Sequence, residues 1–325
     1  MFRFPLAFAV AVVIGLTVTA AQAQMTLRYA IQNPESHVTA KAAMAFNRAL
    51  SAETNGELQI ELFAGGQLGS VKDVIQNLQL GAIDMTIARP GHVADLGAPS
   101  FNALSLPYIF SDDAHQDAVL FGEVGARILA TLEPADIKGI GFYRDLPRHF
   151  FFTDKAVKTI ADMKGLKLRT QTSQLAVDTA QAFDAAATPI PFSELYSALQ
   201  SGVVDGGDQP LTGFAAQRYQ EVAKHIILDG HDASPIIVLM AKSTWDKLTP
   251  AQQAAVNKAH QVAADTFVSI NNDSVTKITA DLEAAGVTIV PVADKGPWQA
   301  ATAHLIDKYG ADYPDLIEAI RAQDR

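Results

Sequence analysis

Cysteine is absent from this 325-residue chain. Neither a disulfide framework nor a thiolate metal site can therefore form. Basic residues are the minority, 25 Lys and Arg against 35 Asp and Glu, for a formal net charge of −10. Nucleic acid is not the expected partner of such a surface. Any anion site must instead be built from local arginines working against the global field. Long hydrophobic runs are missing too, with one exception. Arg3 precedes an uncharged apolar stretch from Pro5 to Ala20, and Ala21-Gln22-Ala23 follows as a small-x-small cleavage signature. This predicts a secretory signal peptide over 1–23, cut after Ala23. The competing reading is a membrane anchor, since the stretch nears the lower limit for a span. The small-residue end fits a peptidase better than a stop-transfer flank.

Catalytic signatures are also lacking. There is no Gly-x-Ser-x-Gly elbow, no phosphate loop, no His-Glu-x-x-His and no cysteine nucleophile. The eight histidines do not cluster at ligand spacing, so neither a metal nor a cofactor is expected. Gly65-Gly66-Gln67-Leu68-Gly69 lacks the lysine–serine pair of a phosphate loop and reads as a turn before a helix. An enzyme is not expected.

What is present is a repeated alternation of strand and helix patterns. Thr26–Ile31 alternates as a strand, His37–Asn55 has helical spacing, Glu57–Phe63 alternates again, Val71–Leu80 is helical and Ile83–Ala88 is a further strand. The order predicts an α/β unit with a largely parallel sheet. The pattern restarts with strands at 139–143, 149–153 and 166–170. A helix at 175–183, a strand at 188–190, a helix at 193–199 and a short strand at Val203-Val204 follow, so residues 140–230 form a second unit. Ile236–Met240 is a later buried strand. No glycine or proline falls between Pro250 and Gly286, and Pro250–Ala285 reads as one helix long enough to span both units.

The candidate chemistry lies at strand ends. Arg169 closes Leu166-Lys167-Leu168-Arg169, and ligands of open α/β sheets sit beyond the carboxyl ends of strands. Its planar fork suits a small carboxylate; an ordinary surface ion pair is the competing reading. Arg148 begins the apolar strand 149–152 and would pin the same carboxylate from a second side, or else lie solvated in a hairpin. Arg89 follows strand 83–88. Three cations facing one cleft would suit a dianion. Asp208 and Gln209 fall just after Val203-Val204 and would accept from ligand hydroxyls or orient an arginine. Phe192, with Tyr196, would wall the pocket or serve as plain core.

These segments resemble a family. Gly56–Ile60, Gly66-Gln67-Leu68-Gly69, Gly81–Met85, Leu106-Pro107-Tyr108-Ile109-Phe110, Ile160–Arg169 and Pro191–Gly206 together are similar to the solute-binding proteins of TRAP (tripartite ATP-independent periplasmic) transporters, DctP type. The resemblance covers essentially the whole mature chain. It implies a two-lobed periplasmic-binding-protein fold of class α/β, with an interdomain ligand cleft and a long C-terminal helix spanning both lobes. Lobe I is expected over 24–145 plus 233–273, and lobe II over 146–232 plus 274–325. It implies a monomeric periplasmic receptor that binds an organic acid, a sugar acid such as a uronate or a C4-dicarboxylate, and delivers it to TRAP membrane permease subunits. Arg169 is implied as the main carboxylate ligand and Arg148 as the second contact. Gln32 matches a polar contact and Phe192 a residue packing on the ligand. Where the family usually has Glu-Asn, this chain has Asp208-Gln209, the same chemistry with altered reach. Arg89 stands where sialic-acid binders often carry a glutamate, which disfavours that ligand. The rivals are an exported enzyme acting on sugar acids and the receptor of an ATP-driven importer.

Overall fold

In the computed structural model, residues 24–324 are described; the expected signal peptide, 1–23, lies outside them. The strands are β1 Met25–Ala30, β2 Leu58–Phe63, β3 Met85–Ala88, β4 Ile137–Tyr143, β5 Arg148–Phe152, β6 Lys167–Thr170, β7 Ala186–Pro189, β8 Gly206–Gln209, β9 His225–Asp232, β10 Ile236–Ala241 and β11 Thr288–Pro291. They form two sheets, one in each lobe. The first has the order β2-β1-β3-β10-β4 and the second β11-β9-β5-β8-β6-β7.

The first sheet is largely parallel, as expected, with one reversed strand. β1, β2 and β3 run together, but β10 is antiparallel to both β3 and β4. The chain returns from the second lobe to place β10 there, so its direction is set by that return path. β10 is buried on both faces. Ile236, Val238 and Met240 join the cluster of Leu27, Phe46 and Phe267, while Ile237 and Leu239 join that of Phe101, Leu104 and Ile128. A two-sided apolar run of this kind marks a central strand.

The second sheet departs from the sequence reading at one point. Val203-Val204 is not a strand. Gly202, with φ +69°, ends the helix Leu195–Gln200, and the strand begins at Gly206. Strand propensity favoured the valines, but Val204 is used as core beneath Leu199. The glycines let β8 lie close against Phe151 of β5. Asp208 and Gln209 therefore sit inside β8 and not after it.

The long helix runs Pro250–Ala284 as 35 residues, opened by a reciprocal capping box between Thr249 and Gln252. Its first half packs with the first lobe through Val256, Ala263 and Phe267, and its end with the second through Leu282. The last two helices, Gly296–Gly310 and Pro314–Arg321, turn back. Trp298 joins the second lobe's aromatic cluster, whereas Leu305, Leu316, Ile317 and Ile320 are buried with Phe101, Val119 and Ile128 of the first. Residues beyond 274, expected wholly in lobe II, are thus shared, because that amphipathic face finds its apolar partner on the other lobe. Among the described residues no helix is long and apolar enough to cross a membrane.

Candidate functional site

The functional side chains gather where two strand edges face each other. In the second sheet, β9, β5, β8 and β6 are consecutive. β6 is parallel to β8, and β5 is antiparallel to β8 and β9. The ends of β6, β8 and β9 therefore meet the start of β5 at one edge, which places Arg169, Gln209 and Arg148 side by side. In the first sheet the end of β3 sets Arg89 opposite them. Between the edges lies a cavity of about 210 Å³ lined by both lobes. Gln32, Arg89, Arg148, Arg169, Phe192 and Gln209 all line it; Asp208 does not.

The three arginines are held in different ways. Arg148 is 2 % exposed and is locked by Asp208. Its Nε donates to the Asp208 carboxylate, and Nη2 donates to the Asp208 carbonyl at 2.7 Å. The Asp232 carboxylate is 3.8 Å from Nε. Burial would lower the Arg148 pKa, but the Asp208 and Asp232 charges outweigh it and raise it. Asp208 is likewise pulled down overall, its own burial being offset chiefly by Arg148. It lies behind the arginine and not against the cavity, so its place in the cleft is that of an orienting partner.

Arg89 is also paired. Nη2 donates to the Asp145 carboxylate and Nη1 to the Ser234 carbonyl at 2.7 Å. Arg169 differs. It is 3 % exposed, its Nε donates to the Ile190 carbonyl at 2.9 Å, and among the described residues it makes no ion pair. Its Nη1 is buried without a hydrogen-bond partner. Burial pushes this guanidinium down to about 10, against the raising field of Asp208. Phe192 stacks over it, with Cζ 5.9 Å from the ring centroid. Arg169 lines the cavity, and a buried guanidinium with no carboxylate beside it is an unmet demand for an anion.

Around this cation neutral polar side chains share the wall with apolar ones, among them Val71, Ile87, Pro191 and Ile236. Gln32 is fixed by its amide, which donates to the Gly69 carbonyl at 2.9 Å. His37 caps the helix Val38–Glu53; its Nδ1 accepts the Thr39 N–H at 3.2 Å, so Nε2 carries the proton. Burial holds His37 down at about 4. His92 is pushed down to about 3, first by burial and then by Arg169, Arg89 and Arg148. Asn33, Gln171, Thr172 and Thr212 complete the polar wall, with Lys72 exposed at the rim. Apart from Gln32, sequence reasoning missed these residues and Asp145. Only His37 carried a signal, as the capping position before a helical run.

Behind Arg148 lies a second buried network. The His231 Nδ1 is 2.6 Å from Asp229 Oδ2, and Nε2 is 3.9 Å from Asp208 Oδ2. The ring stacks on Phe150 at 4.0 Å. Burial opposes a charge on His231, but Asp229 prevails and raises its pKa.

Comparison with known proteins agrees with this geometry. Residues 29–312 match the family described as bacterial extracellular solute-binding protein, family 7. The 2,3-diketo-L-gulonate-binding periplasmic protein of Escherichia coli (strain K12) is 30% identical over 307 residues, covering 94% of this chain and 93% of that protein. A TRAP periplasmic solute binding protein from Bradyrhizobium sp. btai1 b, solved in complex with α/β-D-galacturonate, superposes with a TM-score of 0.88 at 33% identity, covering 93% of this chain and 100% of that one. Another from Roseobacter denitrificans OCh 114, with bound L-galactonate, gives 0.86 at 30% identity over 92% and 99%. The chain belongs to this family of extracellular solute-binding proteins.

Proposed function

We propose that this protein is the periplasmic receptor of a TRAP transporter, that it carries no catalytic role, and that its ligand is a polyhydroxylated monocarboxylate of the uronate or aldonate class. The observation that carries the ligand class is the charge balance of the cavity. Arg89 is neutralised by Asp145, and Arg148 by Asp208 and Asp232. Arg169 alone of the three lacks a carboxylate and keeps a buried Nη1 without a partner. One unpaired buried cation supports one ligand carboxylate. The three-cation argument for a dianion does not survive this pairing. The neutral amides, hydroxyls and histidines of the wall suit ligand hydroxyls, and a C4-dicarboxylate would leave its second charge against Arg89, already satisfied.

The sugar acids bound by the relatives support the same class. We take lobe I as 24–145 plus 233–273 and lobe II as 146–232 plus 274–325, with the final helices shared. The receptor acts as a monomer that hands its ligand to the membrane permease subunits. Thermal unfolding with D-galacturonate, D-glucuronate, L-galactonate, succinate and L-malate tests the reading. A ligand at a hundredfold excess over Kd stabilises by about 2.7 kcal/mol. Sugar acids are expected to raise the midpoint without being consumed; stronger stabilisation by succinate or malate, or turnover of any acid, would overturn it.

A further inference from the structure

Arg89 lines the cleft, yet its guanidinium is committed to the connections between the lobes. Two segments that pass between the two sheets bond to it directly, and a third joins them through Asp145. Because β3, β10 and β4 are neighbours, the end of β3, the start of β10 and the end of β4 share one edge. The crossover 144–147 leaves there for β5, and the crossover 233–235 arrives from β9. From the end of β3, Arg89 reaches both. Its Nη1 holds Ser234 in one crossover, and its Nη2 holds Asp145 in the other.

The third segment is the long helix. Asp145 Oδ1 accepts the Leu146 N–H at 2.9 Å and the Asn271 amide at 3.3 Å. Asn271 is 2 % exposed, an unusual burial for an amide inside a helix. Residues before it, up to Phe267, pack with the first lobe's core; Ile278 and Leu282 pack with the second's. Asn271 therefore stands where the helix passes from one lobe to the other.

We propose that the Arg89–Asp145–Asn271 node is the hinge fastener of this receptor, and that Arg89 is a positioning residue that ties the cleft wall to both crossovers and the long helix. The inference rests on the receptor reading. Rotating one lobe away requires dihedral changes in both crossovers, and a single guanidinium bonded to both must release at least one. Node formation and closure over a ligand are then one equilibrium, and a ligand shifts it through contacts made only in the closed state.

Asn271→Ala tests the node without touching the cavity. In the ligand-free protein, hydrogen exchange is expected to speed up together at Leu146, at Ser234 and around residue 271. Faster exchange confined to the helix would overturn the proposal, whatever ligand the protein takes. With D-galacturonate as probe, Asn271→Ala is expected to release ligand about fivefold faster or more, with association within about twofold of the parent. Arg89→Lys, which keeps the charge but loses the fork, should give the same signature, and the double variant less than the product of the two. Slower, salt-sensitive association in Arg89→Lys with unchanged rates in Asn271→Ala would show that Arg89 acts on the ligand as a charge. If the parent protein binds no sugar acid, the ligand assignment fails while the exchange result still decides the hinge.

Discussion

An arginine in a cleft acts according to what already holds it. The three strand-end arginines were legible in the sequence because the apolar pattern marks where each strand starts or stops. Their partners were not. Asp208 lies 60 residues from Arg148 and Asp145 lies 56 from Arg89, and such pairings leave no local trace. The distinction predicts different failures. Arg169→Ala should leave the fold intact and weaken sugar-acid binding by about 2–5 kcal/mol, because the ligand carboxylate loses a desolvated partner. Arg169→Lys should bind nearly as poorly, since an ammonium cannot reproduce the fork. Calorimetric titration checks both, and binding within twofold of the parent by Arg169→Ala would move the site elsewhere. Arg148→Ala should instead strand the buried Asp208 carboxylate and cost the fold about 3–5 kcal/mol. A urea midpoint indistinguishable from the parent's would contradict the lock seen between Arg148 and Asp208.

At the scale of elements, the strands and the long helix were readable for physical reasons. Alternation with a two-residue period requires a half-buried strand, and thirty-odd residues of helix formers without glycine or proline leave little else to form. The antiparallel direction of β10 was not readable, because it depends on where the chain comes from and not on its own side chains. Nor was the contact between two short helices across the lobes. Gly91, in the helix Pro90–Ala94, faces Ser173, which caps the helix Gln174–Ala182. Beside them, Asp95 of the first lobe accepts the Gln174 N–H at 3.1 Å. A Cβ at position 91 would fall 2.6 Å from Ser173 Oγ and 2.8 Å from its Cβ. Gly91→Ala should therefore wedge the lobes apart and weaken ligand binding by about 1–3 kcal/mol, the usual cost of overpacking. Adding Ser173→Gly removes the obstacle and costs the cap only a few tenths of a kcal/mol. The double variant should recover most of the affinity. Titrations of the two single variants and the double decide it, and a double variant no better than Gly91→Ala would show that the contact does not limit closure.

Across the whole molecule, an acidic surface surrounds an interior in which four histidines are kept neutral. Burial lowers His37, His149 and His260 to about 4 and His92 to about 3. His231 goes the other way, raised by Asp229 against its burial. The signs have opposite consequences for stability. A histidine whose pKa is depressed by folding takes up its proton first in the unfolded chain. It withdraws stability as pH falls below about 6.5 until the native form also protonates. His231 contributes stability that is complete below about 6.5 and is lost as pH rises through its folded value. The four depressed histidines should dominate on acidification, each removing about 1.4 kcal/mol between pH 7.5 and 5.5. His260 isolates the effect, because it lies outside the cavity, stacked on Tyr143 with ring centroids 5.5 Å apart. His260→Gln will shift stability at every pH through lost packing, so the slope is the quantity to read. Urea unfolding of the ligand-free protein at pH 7.5 and 5.5 should show the parent weakening on acidification. The variant should weaken less, by about 1.4 kcal/mol. An equal loss in both proteins would mean that His260 protonates in the native state as readily as in the unfolded chain, and that burial against Tyr143 does not hold it neutral.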